Sequence, residues 1–226
     1  FKSWSPESPF LYDVVFSAFG EEIKSYFGMR KFSVGNDEKG VKRLFLNNKP
    51  YFHNGVLDQG YYPDGLLTPP ANDAMKFDVE YVKSAGFNMI RKHIKVEPLL
   101  WYHYCDVNGI IVWQDMINGG GKYGLEISVI PFLNITLNDN NYSTFKRTDK
   151  EGRLLYYQEL EEIVDSLYNC PCIALWTLFN EGWGQFDSAK AYDLIKSLDD
   201  TRIVDSSSGW HDMGKSDVIS KHIYFT

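Results

Sequence analysis

The feature that most constrains this chain is the stretch at residues 173–179, Ile-Ala-Leu-Trp-Thr-Leu-Phe, an apolar run without polar alternation. A strand covered on both faces, as in a parallel sheet clad by helices, reads this way. The run stops abruptly at Asn180-Glu181-Gly182, which places a carboxylate at the carboxyl end of a buried parallel strand. α/β barrels carry their chemistry there. The alternative is that Glu181 is the first charge of the next helix. Against it, Asp187 is the better cap, and Gly182, Gly184 and two aromatic residues lie between. Trp183 and Phe186 are expected as apolar walls beside the acid. Such walls disfavour the charged form of a carboxyl group and suit it to general acid catalysis.

Around this run the chain alternates strand and helix. Strands are expected at 52–57, 87–91, 110–115, 173–179, 202–206 and 218–223. The first helix is expected to be capped by Asn72 and closed by Gly86, and the second to open at Glu97-Pro98 and stop at Asn108-Gly109. The next carries Leu160, Ile163, Val164 and Leu167 on one face, and the last is capped by Asp187. A long irregular stretch, from 116 to about 150, reads as functional or mobile. Six alternations predict an α/β fold, a (β/α)₈ barrel with six of its eight strands. The open doubly wound alternative lacks a Gly-rich turn after its first strand. Residues 1–43 read instead as two or three β-strands, too few to bury both faces of a sandwich. The chain therefore reads as cut at both ends, with a β domain at 1–43 and barrel strands one to six at 44–226.

A net charge of −7 argues against a nucleic-acid partner, which needs basic patches. No apolar run is long enough to span a bilayer, and FKSWSPESP at the start has no apolar core of a signal peptide. Three cysteines are too few for a disulfide scaffold. Cys170-Pro171-Cys172 has no second pair to complete a zinc site, and reads as small residues in a helix-to-strand turn. The compartment stays open.

The carboxyl ends of the expected strands assemble one rim: Asp58, then Arg91-Lys92-His93, Trp113-Gln114-Asp115, Asn180-Glu181, the 206–211 stretch and His222-Ile223-Tyr224. Acids, amides, histidines and aromatics together suit a sugar, whose hydroxyls need polar partners while its C–H face packs on a ring. Arg91 reads equally as a structural ion-pair partner or a substrate contact. His211 reads as a satisfied loop histidine, whereas His222, at a strand end, does not. No ligand spacing supports a metal. Asp205 has no Ser–His arrangement near it in sequence, and there is no G-x-S-x-G elbow.

The segments 88–93 (NMIRKH), 109–116 (GIIVWQDM) and 179–186 (FNEGWGQF) resemble glycoside hydrolase family 2, the β-galactosidases, β-glucuronidases and β-mannosidases. The likeness runs from about Leu44 onward. The front piece, 4–12 (WSPESPFLY), resembles the end of the immunoglobulin-like β-sandwich that precedes the family's barrel. The resemblance implies a retaining exo-glycosidase; no cofactor is expected. Glu181 would be its acid/base and Asn180 would bind the hydroxyl next to the anomeric carbon. Arg91, Asp115, Trp183, His222 and Tyr224 would be substrate contacts. Retention needs a second carboxylate about 5–5.5 Å from the first. In the family this nucleophile follows the seventh strand, so the chain is expected to lack it. Galactoside is the leading substrate on family frequency. A carbohydrate-binding protein without catalysis and a metal-dependent hydrolase are the rival expectations. The expected partner is a carbohydrate, with no nucleic acid and no membrane, and unclosed barrel edges are expected to favour self-association.

Overall fold

The computed structural model of the chain describes residues 1–122, 124–133 and 135–224. It divides into two compact units. One comprises Phe1–His93, Glu97–Trp113 and Leu167–Ala174; the other comprises Ile94–Val96, Gln114–Ser166 and the chain from Leu175 on.

The first unit opens with β1 (Tyr12–Ala18) and β2 (Glu21–Phe27), an antiparallel hairpin in which Tyr12 faces Phe27 and Ala18 faces Glu21. Phe19 and Gly20, both left-handed, make the two-residue turn whose twist matches that of the strands. The hairpin leaves Val15, Phe16 and Ile23 exposed. Next come β3 (Phe32–Asn36), β4 (Lys42–Leu46) and β5 (Lys49–Pro50), a three-stranded antiparallel sheet with Asn47-Asn48 at its second turn.

The strand–helix alternation then begins. β6 (Gly55–Asp58), α1 (Asn72–Ser84), β7 (Met89–Lys92), α2 (Leu99–Asn108) and β8 (Ile111–Asp115) follow in order. β6 and β7 are parallel, with Leu57 opposite Arg91. Ile111 N–H donates to the Asn88 carbonyl at 2.9 Å, and Val112 N–H to that of Cys172 at 2.8 Å. Met75, Val79, Ile90, Trp101 and Cys105 form this unit's core. Gly109 ends α2 in the left-handed region at φ 66°. α1 departs from expectation. Asn72 is its first helical residue, and Ala71 stands at the cap with no side-chain bond. Lys92, although 1% exposed, is balanced by Asp58 at 2.5 Å and Glu97 at 2.8 Å, and its ammonium lies 4.4 Å from the centre of the Trp101 ring.

β8 and β9 (Ile173–Thr177) each end in the second unit. Within it α3 (Leu125–Val129) runs into a 3₁₀ turn over Ile130–Leu133, followed by α4 (Lys150–Leu167), α5 (Ser188–Leu198) and β10 (Ile203–Asp205). Two short helical turns thus occupy part of the stretch expected to be irregular. β9 and β10 are parallel, Leu175 opposite Ile203 and Thr177 opposite Asp205. β9 stops two residues before the apolar run does. Leu178 and Phe179 stay buried because Leu178 N–H donates to the Asp205 carbonyl at 2.9 Å, while the Tyr156 hydroxyl donates to the Leu178 carbonyl at 2.8 Å.

Two expectations are corrected here. Asp187 does not cap α5 with its side chain: it sits at φ 42°, and its carboxylate accepts from the Tyr142 hydroxyl. Asp139 does the capping, accepting from Ser188 N–H at 2.9 Å and from the Ser188 hydroxyl. A carboxylate there also meets the positive end of the helix dipole. The sixth strand is likewise absent among the described residues 218–224. β10's edge is answered mainly by side chains: Val204 N–H donates to the Asp217 carboxylate at 2.9 Å, and Ser206 N–H to the Ser216 hydroxyl at 3.1 Å. The main-chain bond there, from Asp217 N–H to the Val204 carbonyl at 2.9 Å, does not extend into a ladder among the described residues.

Candidate active site

The end of β9 turns sharply. Glu181 at φ 51°, Gly182 at 71° and Gly184 at 63° are all left-handed. The glycines are needed for space as well as angle. A Cβ on Gly182 would come 2.7 Å from His211 Cδ2, and one on Gly184 would come 2.3 Å from the Gly119 carbonyl oxygen. Glu181 has no such licence, and a side chain held in this region marks strain that the surroundings must maintain. Its N–H donates to the Ser208 carbonyl at 3.1 Å, and Trp183 N–H to that of Asn180 at 3.0 Å.

The turn sets the Glu181 carboxyl beside Asn180, His222 and Tyr224. Oε1 lies 2.8 Å from His222 Nδ1 and accepts from the Tyr224 hydroxyl; the Asn180 amide nitrogen stands 3.5 Å from Oε2. The Glu181 and His222 side chains are 24% and 18% exposed. His222 Nε2 lies 3.1 Å from Ser208 Oγ. Ser208 N–H donates to Asp205 Oδ1 at 3.0 Å, and the Ser220 hydroxyl to Asp205 Oδ2. Asp205 therefore anchors both the loop after β10 and the segment that presents His222. Sequence spacing missed this group. A serine, a histidine and an acid do gather near Asp205, but the acid touching the ring is Glu181, forty-one residues from His222.

Of the other expected site residues, Asp115 ends β8 buried at 1% exposure, its carbonyl accepting from the Gln114 side chain at 2.8 Å. Trp183 is half-buried and borders a shallow depression with Gly120, Gly121 and Lys122. Phe186 is spent on the core, packed against Tyr156 and Phe179 with ring centres 5.3 and 5.6 Å apart. Arg91 belongs to the first unit, half-buried on β7. The structure thus gathers Asn180, Glu181, His222 and Tyr224, with Asp115 and Trp183 in the same unit.

His211 is the satisfied loop histidine expected. Nδ1 accepts from Leu137 N–H at 3.1 Å, so the proton sits on Nε2, which meets the Ile127 carbonyl at 3.1 Å. Burial pushes its pKa down, in keeping with a neutral ring. Beside His222 opens a cavity of about 280 Å³, with Phe132, Trp210, Ile219 and Ile223 in its wall. Cys105, Cys170 and Cys172 are buried thiols that form no disulfide, and burial raises the thiol pKa of Cys105 and Cys172. Among the described residues no group of three or more His, Cys, Asp or Glu side chains is set to hold a metal ion.

Parallel strands alternating with helices, with polar residues at their carboxyl ends, define an α/β enzyme fold of the barrel class. The chain belongs to glycosyl hydrolases family 2, whose TIM barrel domain model matches residues 39–226. It is 30% identical over 224 residues to a β-galactosidase of Pectobacterium atrosepticum and 26% identical over 231 residues to one of Leuconostoc mesenteroides. Each alignment covers 96% of this chain and 19% of that protein, so the chain spans about a fifth of these curated relatives. Among solved structures it is similar to a family 2 β-galacturonidase from Eisenbergiella tayi bound to galacturonate. There the TM-score is 0.69 at 24% identity, over 92% of this chain and 33% of that one, a likeness of fold.

Proposed function

We propose that the protein is a retaining exo-β-glycosidase that removes a terminal β-linked sugar, with Glu181 as acid/base. The observation that carries this is the Glu181 carboxyl at the end of a buried parallel strand of a family 2 barrel domain, one oxygen already held by two donors. As acid it protonates the leaving oxygen; as carboxylate it then takes a proton from the water that hydrolyses the glycosyl-enzyme. Asn180 binds the hydroxyl next to the anomeric carbon, and Asp115, Trp183 and Tyr224 contact the sugar. The nucleophile, a second carboxylate about 5–5.5 Å away, lies in a part of the protein beyond these residues. Residues 1–43 are the last strands of an immunoglobulin-like sandwich. A galactoside is the substrate this reading favours, since the relatives at 26% and 30% identity are β-galactosidases.

The test is hydrolysis of a panel of aryl β-glycosides by this chain and by the full-length gene product, each with and without Glu181→Gln. Activity greatest on galactosides, with Glu181→Gln harming poor leaving groups far more than good ones, supports the assignment. A full-length product that binds sugars and hydrolyses none, or an inconsequential Glu181→Gln, overturns it in favour of a carbohydrate-binding protein.

A further inference from the structure

We infer that His222 is a positioning residue for Glu181 rather than a sugar contact: its ring keeps a proton on Nδ1, makes Oε1 the permanently accepting oxygen, and leaves the working proton to Oε2. This rests on the acid/base reading of Glu181.

Both ring nitrogens are engaged within the protein, Nδ1 with Glu181 Oε1 at 2.8 Å and Nε2 with Ser208 Oγ at 3.1 Å. The ionised carboxylate can only accept, so in that form Nδ1 donates, and we assign the same direction to the acid form, whose proton is then on Oε2. In the neutral ring the Ser208 hydroxyl then donates to Nε2. The loop after β10 is shaped for this ring. Ser208 is left-handed at φ 35° and Gly209 at 101°, and a Cβ on Gly209 would lie 2.7 Å from His222 Cδ2. Any side chain there displaces the imidazole. Ser208 holds both partners, because its carbonyl also accepts the Glu181 N–H at 3.1 Å, and Asp205 fixes Ser208 in turn.

The order serine, histidine, acid is that of an acyl-transfer triad. Ser208, however, is 1% exposed, which leaves its Oγ no approach to a substrate. The relay therefore serves its carboxylate end. With His222 Nδ1–H and the Tyr224 hydroxyl both donating to Oε1, a further proton on that oxygen is opposed. In the acid form Oε2–H breaks and a bond from that proton to the leaving oxygen forms. In the base form Oε2 takes the proton of the incoming water. His222 keeps its own proton throughout.

Two measurements decide this. In the 226-residue chain labelled with ¹⁵N-histidine, with His222 assigned from the signals lost in His222→Asn, Nδ1 should read as the protonated nitrogen at neutral pH. A bare Nδ1 overturns the inference, whether or not the protein proves to be a glycosidase. In the full-length product, His222→Leu should lower kcat on alkyl and sugar leaving groups roughly 100-fold. It should change nitrophenyl glycosides little and leave KM in place. His222→Asn, whose amide replaces the Nδ1 donor, should recover most of the loss. Gly209→Ala, which alters no polar atom, should reproduce the leaving-group pattern. A loss uniform across leaving groups, or a rise confined to KM, makes His222 a merely structural or substrate-binding residue. Absence of all hydrolysis by the wild-type full-length product removes the acid/base reading instead, and leaves the ring measurement standing.

Discussion

Two carboxylates, one in each unit, are held in opposite ways. Asp106 on α2 is wholly buried. Its Oδ2 accepts from the Tyr26 hydroxyl and its Oδ1 from Cys172 N–H, both at 2.8 Å, while its carbonyl accepts from the Trp4 indole at 2.8 Å. These donors are neutral and fixed by the surrounding packing. Burial and the neighbouring carboxylate push the Tyr26 hydroxyl well above the usual phenol range, so it stays a donor. Glu181 is a quarter exposed, stands on a strained backbone, and has His222 and Tyr224 donating to Oε1 from one short segment. The first arrangement ties hairpin, helix and strand together. The second, on the acid/base reading proposed above, holds one oxygen of a group whose proton has to come and go. A carboxylate that must react cannot be saturated in the way a structural one is.

The sharpest separation of the two comes from Glu181→Gln. In the full-length product it should lower kcat on poor leaving groups by roughly 10²–10⁴ and move the unfolding free energy of the chain by less than about 1 kcal/mol, since the amide keeps the shape and an accepting oxygen for His222 and Tyr224. Urea titration beside the kinetics checks both, and a large loss of stability would erase the contrast. Asp106→Ala should show the reverse. It strips the acceptor from the buried Cys172 N–H and from the Tyr26 hydroxyl, and should cost about 3 kcal/mol in urea unfolding of the chain. In the full-length product the leaving-group pattern should stay intact. An unchanged urea midpoint would sink the structural role.

A smaller effect separates the units by pH. His53, packed near Phe32, Tyr51 and Trp113, accepts the Trp113 indole N–H on Nδ1 at 2.8 Å, and burial lowers its pKa to about 4. The unfolded chain takes up this proton near pH 6.5. The stability associated with the neutral ring is therefore present in full above that pH and lost as pH falls through about 4. Asp199 in the second unit acts lower. Burial would raise its carboxyl, but the Arg202 guanidinium at 2.6 Å, Thr201 and the Trp176 indole outweigh it and hold the pKa to about 2. Its contribution is present above about 3.8 and lost towards 2. Urea midpoints followed from pH 7 to pH 3 should decline first through the His53 window, and His53→Gln should flatten that decline. A decline that His53→Gln leaves untouched assigns it elsewhere.

Much of this was legible in the residues. The unbroken run at 173–179 announced β9 and left Glu181 at its end; Gly109 closed α2 where its freedom at positive φ predicted. The expected sixth strand failed because alternation in 218–223 reports only what a segment can do. Whether it pairs depends on the edge of β10, whose Val204 and Ser206 N–H groups are taken by the Asp217 and Ser216 side chains. The cap of α5 was misread for the same reason. Asp187 stands next to the helix in sequence, yet Asp139, forty-nine residues from Ser188, supplies the oxygen.

What the sequence alone determined is whatever depends on near neighbours: the parallel strand–helix alternation, the family motifs, and the acid at the end of the most buried strand. Tertiary structure decided which groups meet that acid. Asp205, Ser208 and His222 carry no pattern in sequence, because a hydrogen bond between side chains depends on distance in space, and that distance is set only when β10 and the segment after it have packed.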